Sequence, residues 1–510
     1  MDARTVPGLL REAARRYGGL PALADGPVRL TFAGLAAEAA AVARALAGHG
    51  VRPGDRVAVW APNTAYWVLA ALGAHTAGAV LVPVNTRFTG AEAADVLRRS
   101  RARLLFAADG FLGIDYLGMV RAARPALPGL RTVVACAPHT AAPDALEWPR
   151  FLSAAPHAAP PPAVRPGDVA DVMFTSGTTG RSKGAVSAHR QTVGVARAWA
   201  DAAGVRPGDR YLIVSPFFHT FGYKAGIVAC LAAGAAIVPQ PVFDVAETVR
   251  LVGAEEVTVL PGPPTIYQSI LDAPDRGAVR MPRVAVTGAA SVPVRLVERM
   301  RAELGFATVL TAYGLTEAVV VTMSRPGDDP RTIATTCGRA TAGFEIRICG
   351  PDGGELPPGA DGEVRLRGPN VMLGYLDDPA ATADAFDPGG WLRTGDIGRL
   401  DAAGYLTITD RLKDMLTVGG FNVYPAEVEQ VLARHDGVAE AAVVGVADRR
   451  LGEVPKAYVV ARPGAAPAAA DLVAFCRERL AGFKVPRTVE FLPELPRNAG
   501  GKVLKRELRR

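Results

Sequence analysis

Hydrophobic positions in the first part of the chain follow two different periodicities. A helical pattern spans residues 34–48, and short apolar runs at 57–60 and 80–84 have the length of buried strands. Helices that alternate with short apolar strands predict layered structure with largely parallel sheets. We therefore predict the α/β class for this part of the chain.

The pattern changes twice in the second part of the chain. Between residues 342 and 408, short alternating runs are separated by PDGG, PPGADG, DPGG and DAAG, which are hairpin turn sequences. They predict a small antiparallel β-unit. After residue 411, the pattern predicts helices at 426–434 and 470–481 and strands at 441–446 and 457–461. This last part reads as a compact α+β unit.

Length and charge narrow the class of protein. The chain has 510 residues, which predicts roughly two to four domains. Its net charge is +7, but the basic residues are spread along the whole chain, without long like-charge runs or interleaved aromatics. Only seven of the 57 basic residues are lysines. We expect no nucleic-acid partner, and a basic balance suits anionic small molecules.

The cysteines and the apolar stretches of the chain indicate in which cellular compartment the protein works. The five cysteines are far apart, so they predict neither a disulfide framework nor a metal site. The longest uncharged stretch, residues 225–243, contains Pro239 and Pro241 and fits a buried helix and strand better than a membrane span. The amino terminus is charged where a signal peptide needs an apolar core. We predict a cytoplasmic protein. The cysteines are Cys136, Cys230, Cys337, Cys349 and Cys476.

The most informative motif is TSGTTGRSKG at residues 175–184, which follows an apolar strand at 169–174. Glycines let backbone amides approach phosphate oxygens, hydroxyl groups add hydrogen bonds, and Lys183 supplies positive charge. The motif is not a Walker loop, because no Gly-Lys-Ser/Thr ends it. We call residues 175–184 the phosphate loop.

This motif resembles that of the adenylate-forming superfamily, which includes acyl-CoA synthetases, peptide-synthetase adenylation domains and luciferases. Further motifs follow in the superfamily's order: VTGAA (286–290), TAYGLTE (311–317), TGD (394–396), DRLKDMLTVGGFNVYPAEVE (410–429) and PRNAGGKVLKREL (496–508). The resemblance covers nearly the whole chain. It implies two layered α/β subdomains and a β-barrel-like unit in residues 1–412, followed by a mobile α+β domain in residues 413–510.

The resemblance implies a nucleotide site for ATP. Tyr313 offers a flat ring for adenine, Asp396 accepts from ribose hydroxyls, and Arg411 reaches ribose or phosphate as a fork donor. Gly420 would leave room for the pantetheine arm of CoA. The expected cofactor-binding residues are Thr175, Ser176, Gly177, Thr178, Thr179, Gly180, Lys183, Gly288, Ala289, Ala290, Tyr313, Gly314, Asp396, Arg411 and Gly420.

Five residues are expected to act in catalysis. The resemblance makes Lys502 the cation between substrate carboxylate and α-phosphate, where it offsets the repulsion of two anions. Lys413 falls at the hinge of the mobile domain. Thr316 and Glu317 supply oxygens suited to Mg²⁺, with Thr178 as a further ligand. His219 would contact the carboxylate or gate access of the thiol.

The acid would bind along PFFHTFGYKAG, residues 216–226, which we call the acid segment. Two readings of Lys224 stay open: it pairs with a distal oxygen of the substrate, or it caps a surface turn. The residues expected to contact substrate are Phe218, Phe221, Tyr223, Lys224, Tyr267, Val319 and Val320.

The acid segment also bears on the substrate class. It has no aspartate of the kind that amino-acid-activating relatives use, and with LPGPPTIYQ and VTGAASVPV it looks most like actinobacterial ligases for alicyclic propanoates from steroid rings. The bulky AVVV at 318–321 could shorten the pocket, so an aryl or medium-chain acid stays open. The expected reaction forms acyl-AMP and then acyl-CoA. The alternative acceptor is a carrier protein, or nitrite as in diazotase-like relatives, and the chain is expected to be a monomer or homodimer.

Overall fold

The computed structural model of the chain describes most of its length. The described residues are 3–136, 144–154, 162–175, 182–273, 281–288, 294–341, 343–411, 416–423, 425–496, 503 and 505–509.

Strands form the frame of the fold in this part of the chain. In chain order they are β1 (Pro21–Asp25), β2 (Val28–Thr31), β3 (Arg56–Trp60), β4 (Val80–Pro83), β5 (Ala102–Ala107), β6 (Thr132–Ala135), β7 (Val169–Thr175), β8 (Lys183–Ala188), β9 (Arg210–Ile213), β10 (Ala236–Pro239), β11 (Val259–Pro261), β12 (Val284–Gly288), β13 (Thr308–Leu315), β14 (Ala318–Met323), β15 (Arg339–Ala340), β16 (Glu345–Cys349), β17 (Gly362–Arg367), β18 (Gly374–Tyr375), β19 (Leu392–Leu400), β20 (Leu406–Arg411), β21 (Leu416–Val418), β22 (Phe421–Val423), β23 (Val438–Asp448), β24 (Gly452–Ala461) and β25 (Thr488–Phe491).

Helices cover the sheets. Several begin at a threonine whose hydroxyl accepts a backbone N–H three residues later, as Thr5 and Thr31 do, which satisfies a donor that the helix leaves open. In chain order the α-helices are α1 (Val6–Tyr17), α2 (Phe32–Gly48), α3 (Ala65–Thr76), α4 (Gly90–Ser100), α5 (Tyr116–Ala123), α6 (Trp148–Ser153), α7 (His189–Ala203), α8 (Thr220–Gly222), α9 (Ala229–Ala233), α10 (Val245–Ala254), α11 (Pro264–Asp272), α12 (Val294–Ala302), α13 (Pro330–Thr335), α14 (Pro379–Ala385), α15 (Pro425–Leu432), α16 (Ala469–Arg477) and α17 (Lys505–Leu508). Shorter turns of other pitch are the 3₁₀ helices Phe111–Gly113, Arg124–Ala126 and Gly482–Lys484 and the π-helix Tyr223–Val228.

The chain separates into two compact units. The first is built from residues 1–86, 94–174 and 184–410, and the second from 87–93, 175–183 and 411–510. The domain boundary at 412/413 stays a prediction.

Two large sheets organise the first unit. One has the strand order β15-β14-β13-β12-β11-β9-β10-β1-β2, and the other β18-β8-β7-β4-β3-β5-β6. Their central neighbours pair in parallel, as β12 does with β13 and β3 with β4. The residues between the layers are apolar, and α3 is buried along its whole length. Parallel strands place their carboxyl ends at one edge of a sheet, where open α/β folds hold ligands.

A smaller antiparallel sheet completes the first unit, with the order β16-β17-β19-β20. The hairpin turn sequences predict this unit correctly. The strand pattern misses β19, because Gly395 and Asp396 interrupt its alternation.

The second unit carries its own sheet and core. Strands β22, β21, β24 and β23 follow one another, and β25 pairs with β24. Helices α15 and α16 bury Val428, Leu432 and Leu472 against this sheet. The predicted α/β class, with a large first part and a small α+β part at the carboxyl end, is confirmed.

The uncharged stretch at 225–243 is confirmed as buried helix and strand, α9 and β10. Within the described residues, every helix is too short or too polar to cross a lipid bilayer.

Candidate active site

The predicted nucleotide residues lie where parallel strands of the nine-stranded sheet end. Gly288 is the last residue of β12, and Tyr313 lies near the end of its parallel neighbour β13. Strand β14 then runs back antiparallel to β13. Two predicted motifs, VTGAA and TAYGLTE, therefore meet at one sheet edge, which is the edge where such sheets bind ligands.

Tyr313 and Asp396 form a direct contact. The Tyr313 hydroxyl donates to Asp396 Oδ2 over 2.6 Å. Within the TGD turn, the Asp396 backbone N–H donates to Thr394 Oγ1, and that hydroxyl donates to Val364 O. The Tyr313 hydroxyl therefore orients the carboxylate while the turn fixes its backbone, and two motifs that lie 83 residues apart in the chain are in direct contact.

We expect Tyr313→Phe to raise the KM for ATP by about 3- to 10-fold, because the Asp396 carboxylate loses a hydrogen-bond donor. Initial-rate kinetics of ATP-dependent pyrophosphate release measure this. Tyr405→Phe is the matched control, since Tyr405 donates to Asp328 Oδ1 over 2.7 Å in a comparable partly buried pair. An equal rise in both variants would contradict the assignment of Tyr313 to the nucleotide site.

Glu317 is held by a residue that sequence reasoning missed. The Tyr375 hydroxyl donates to Glu317 Oε1 over 2.7 Å, and the Met372 N–H donates to the Glu317 backbone oxygen. Thr316 beside it is half-buried. Tyr375 lies on β18, 58 residues after Glu317. The motif GYLDD around Tyr375 is a tyrosine next to a glycine and acidic residues, and nothing in it points to Glu317.

Two glycines at this sheet edge lie in close contact with the backbone of neighbouring strands. A Cβ on Gly314 would lie 2.5 Å from Val320 N, and one on Gly288 would lie 2.3 Å from Ala312 O. Real Cβ atoms do not approach backbone so closely. Both predicted cofactor positions therefore exclude any side chain for steric reasons.

The phosphate loop is described only at its two ends. Thr175 ends β7 and Lys183 begins β8, the neighbouring strand, and Thr175 Oγ1 donates to Lys183 O. The two ends of the phosphate loop are thus joined by a hydrogen bond. Its predicted phosphate-binding residues Ser176, Gly177, Thr178, Thr179 and Gly180 lie outside the described residues.

Other predicted site residues also lie outside the described part, namely Ala289, Ala290, Lys413 and Lys502. For Arg411 the structure describes the backbone, which ends β20.

Gly420 lies in a hairpin turn of the second unit. Gly419 and Gly420 join β21 to β22 with φ values of +55° and +86°. Two consecutive positive φ values are typical of a tight hairpin turn and favour glycine. This backbone requirement explains the residue type, and passage of a pantetheine arm stays a prediction.

The acid segment exposes His219 and partly exposes Phe218 and Phe221. His219 Nδ1 accepts from the Phe221 N–H over 3.2 Å, so in the neutral ring the proton sits on Nε2. The ring lies among protein atoms whose desolvating effect lowers its pKa to about 4. Even the ordinary pKa of about 6.5 lies below neutral pH. At pH 7 His219 is therefore a neutral donor through Nε2.

Three residues predicted to contact substrate are buried and hydrogen-bonded within the protein, and their contact with substrate stays a prediction. The Tyr223 hydroxyl bonds to His75 Nε2 at 2.5 Å, and the Tyr267 hydroxyl donates to Leu260 O at 2.7 Å. Lys224 is only 2% exposed, and its ammonium pairs with Asp171 Oδ1 at 2.8 Å. The reading of Lys224 as a cap on a surface turn is therefore wrong, and its contact with substrate stays a prediction.

Val319 and Val320 lie on buried β14 and pack in the core cluster that also contains Phe217. Val320 has φ +57°, a conformation that β-branched residues rarely adopt. Thr341 Oγ1 donates to Val320 O over 2.6 Å and holds this distorted turn of the strand. Strain of this kind persists where the surrounding structure over-determines it.

Comparison with known proteins identifies the family. The AMP-binding enzyme family matches residues 10–376, and the AMP-binding enzyme C-terminal domain matches residues 427–502. A 3-[(3aS,4S,7aS)-7a-methyl-1,5-dioxo-octahydro-1H-inden-4-yl]propanoyl:CoA ligase of Rhodococcus jostii is 56% identical, over 99% of this chain and 98% of its own. The ligase of the same name from Mycobacterium tuberculosis is 54% identical, over 100% and 99%.

Solved structures agree with these relatives. The o-succinylbenzoate CoA synthetase of Bacillus subtilis superposes with a TM-score of 0.86 at 30% identity, over 98% of this chain and 97% of that chain. The amide bond synthetase of Marinactinospora thermotolerans also gives 0.86, at 29% identity, over 98% and 99%. The chain therefore belongs to the AMP-binding enzyme family, and its resemblance to the acyl-CoA synthetases of the adenylate-forming superfamily is confirmed.

Proposed function

We propose that this AMP-forming acid–CoA ligase activates a propanoate side chain carried by a fused alicyclic ring system. The observation that carries the proposal is the identity above 50%, over essentially the whole chain, to two ligases named for a methyl-dioxo-octahydroindenyl propanoate.

The residues that we assign to the walls of the acid site suit such a neutral ring. Phe218 and Phe221 of the acid segment are partly exposed and apolar, and Val319 and Val320 add bulk on β14. The Lys224 ammonium is taken up by Asp171, so it is not available to a second carboxylate on the substrate. Ring ketones are neutral and need no ionic partner, which fits this arrangement.

The nucleotide binds, in this proposal, at the sheet edge that carries Tyr313, beside Asp396 of strand β19. The Tyr313 ring lies along adenine, the Asp396 carboxylate accepts from ribose hydroxyls, and the phosphate loop with Lys183 holds the phosphates. Gly288, Ala289, Ala290 and Gly314 border the nucleotide, and the guanidinium group of Arg411 donates to ribose or phosphate.

The Glu317 carboxylate fits Mg²⁺, which prefers carboxylate and phosphate oxygens. Tyr375 orients this carboxylate through Oε1. We assign Glu317 and Thr178 to hold the ion, with Thr316 beside them. When bound, the ion neutralises part of the charge on the phosphates.

Two steps complete the reaction. A carboxylate oxygen of the acid attacks the α-phosphorus, the bond to pyrophosphate breaks, and acyl-AMP forms. Lys502 offsets the repulsion between these anions, and neutral His219 donates through Nε2 to the carboxylate. The CoA sulfur then attacks the acyl carbon, loses its proton to solvent, and displaces AMP. Lys413 is the hinge of a mobile carboxy-terminal domain that begins there, and Gly420 borders the pantetheine.

The setting of the protein completes the proposal. We infer a cytoplasmic location, because all five cysteines are free thiols, which suits a reducing compartment. The working state is a monomer or homodimer.

A panel of acids tests the proposal. Pyrophosphate release is measured with a bicyclic diketone propanoate, a cyclohexyl propanoate, an aryl propenoate and a medium-chain alkanoate. We expect the bicyclic acid to give a kcat/KM at least about tenfold above the others. A higher kcat/KM for the aryl acid or the alkanoate than for the bicyclic acid would overturn the proposed substrate class.

The acceptor is tested in parallel. CoA, a carrier protein with a pantetheine arm and nitrite are each offered with the preferred acid. We expect a thioester with CoA as the main product, and faster transfer to the carrier protein or nitrite would instead establish the alternative.

A further inference from the structure

A buried cluster of polar groups lies within the first unit and includes Lys224 of the acid segment. The Lys224 ammonium lies 2.8 Å from Asp171 Oδ1 and donates to Ser187 Oγ, also at 2.8 Å. Lys224 is 2% exposed, Asp171 0% and Ser187 4%. The other carboxylate oxygen of Asp171 accepts from Thr192 Oγ1 at 2.7 Å. The cluster is therefore a desolvated ion pair with its own hydrogen bonds.

The three partners come from three different elements. Asp171 lies on β7, the strand that leads into the phosphate loop, and Ser187 lies on β8, the strand that leaves it. Lys224 lies in the π-helix Tyr223–Val228, five residues after His219. One ammonium group therefore ties the acid segment to both strands that flank the phosphate loop. Single π-turns inside helices occur frequently at functional sites.

Among the neighbouring side chains, Lys224 supplies the positive charge that balances the Asp171 carboxylate. The nearby imidazoles of His75 and His189 are both desolvated, and this burial lowers the pKa of each, to about 4 for His189. Tyr223 contacts His75 through its hydroxyl group and is fully buried. At neutral pH these neighbours are uncharged, so the ion pair is the charged centre of the cluster.

Energetics argue against a purely stabilising role. Replacing a buried ion pair by apolar residues of similar volume is often neutral or stabilising, because desolvation of two charges costs so much. A buried ion pair does, however, hold the elements that carry it in one relative position. Moving them apart would leave each buried charge without its counter-charge, which is costly. A compact ammonium also suits this enclosed position better than the larger planar guanidinium.

We propose that Lys224 is a positioning residue for adenylate formation, which fixes the acid segment against strands β7 and β8 through Asp171 and Ser187. The inference rests on the proposed function in one respect, the assignment of the acid segment to the substrate carboxylate. Attack of a carboxylate on phosphorus requires the two reactants at close to contact distance, and a misplacement of about 1 Å costs on the order of 10²-fold in rate.

Two variants separate positioning from stability. Lys224→Met leaves a buried carboxylate without its cation and is expected to lower both the melting temperature and the adenylation kcat. The double variant D171N/K224M removes both charges and keeps an acceptor for Thr192. We expect the double variant to regain most of the melting temperature, while kcat for pyrophosphate release at saturating ATP and acid stays at least about tenfold low.

The second half-reaction supplies the contrast. Conversion of supplied acyl-adenylate to thioester does not use the phosphate loop, so its rate is expected to change less than about twofold in the double variant. Recovery of both melting temperature and adenylation kcat in the double variant would overturn the proposal. These rates are measured with whichever acid the panel shows to be the best substrate. The positioning role of Lys224 is therefore tested even if the proposed substrate is wrong.

A milder variant decides the question if the double variant does not fold. Ser187→Ala removes one hydrogen bond and keeps the ion pair. We expect a small fall in melting temperature, because the buried ammonium loses an acceptor, and a fall of about 3- to 10-fold in adenylation kcat. An unchanged kcat would overturn the proposal. Arg283→Met is the control, because Arg283 pairs with buried Asp209 at 2.7 Å near the start of β9. Its loss is expected to lower the melting temperature without changing the ratio of the half-reactions.

Discussion

Replacing Lys502 by alanine is expected to slow adenylate formation by about 10²- to 10³-fold or more, and to affect thioester formation from supplied acyl-adenylate far less. The reason is electrostatic. Attack of a carboxylate on the α-phosphate brings two anions together, and a fixed cation stabilises the transition state more than the separated reactants. The second step joins a thiol to a neutral acyl carbon, so it needs no such cation between two anions.

Pyrophosphate exchange measures the first half-reaction, and thioester formation from synthetic acyl-adenylate measures the second. Lys505→Ala is the matched control in the same tail, since the Lys505 ammonium pairs with Glu429 Oε1 at 2.6 Å. We expect this control to keep both rates within about twofold, because the partly buried ion pair lies within the second unit and bridges no reactants. Equal loss of both half-reactions in Lys502→Ala would show that Lys502 has a structural role instead.

Local patterns predicted many elements of the fold well. The helical pattern at 34–48 corresponds to α2, and the apolar run at 57–60 corresponds to β3. The order of strands within the sheets could not be predicted this way. Strand β1 pairs with β10, more than 200 residues later in the chain, and such partners leave no periodic trace in either segment.

Motifs allowed candidate site residues to be predicted from the sequence, whereas contacts with partners far away in the chain could not be predicted. Tyr313 and Asp396 were predicted separately, and the structure joins them by a hydrogen bond. The pairing of Lys224 with Asp171 was missed, because Asp171 lies 53 residues earlier on a strand that reads as apolar core. A lysine in a segment of aromatic residues looks available to a ligand until the buried carboxylate beside it is known.

Replacing Gly314 by alanine is expected to lower the rate of adenylate formation by about 10²-fold. The added Cβ would lie 2.5 Å from Val320 N and 3.4 Å from Ala318 O, whereas ordinary contacts begin at 3.4 Å. The clash is with backbone, so no side-chain rotation relieves it, and β13 or β14 must move by roughly 0.9 Å. Tyr313 and Thr316 stand on either side of this point, so the shift moves the proposed nucleotide contacts directly.

Pyrophosphate release and thermal melting of the variant test this expectation against Gly253→Ala. Gly253 lies in α10 with nothing within 4 Å of its added Cβ, so this control is expected to keep full activity and gain about 0.5–1 kcal/mol of stability. Adding Val320→Gly to Gly314→Ala is expected to restore part of the rate. Glycine adopts positive φ freely, so the backbone at position 320 can move away from the new methyl group. Full activity in Gly314→Ala would mean that this edge tolerates displacement and that its geometry does not set the rate of adenylation.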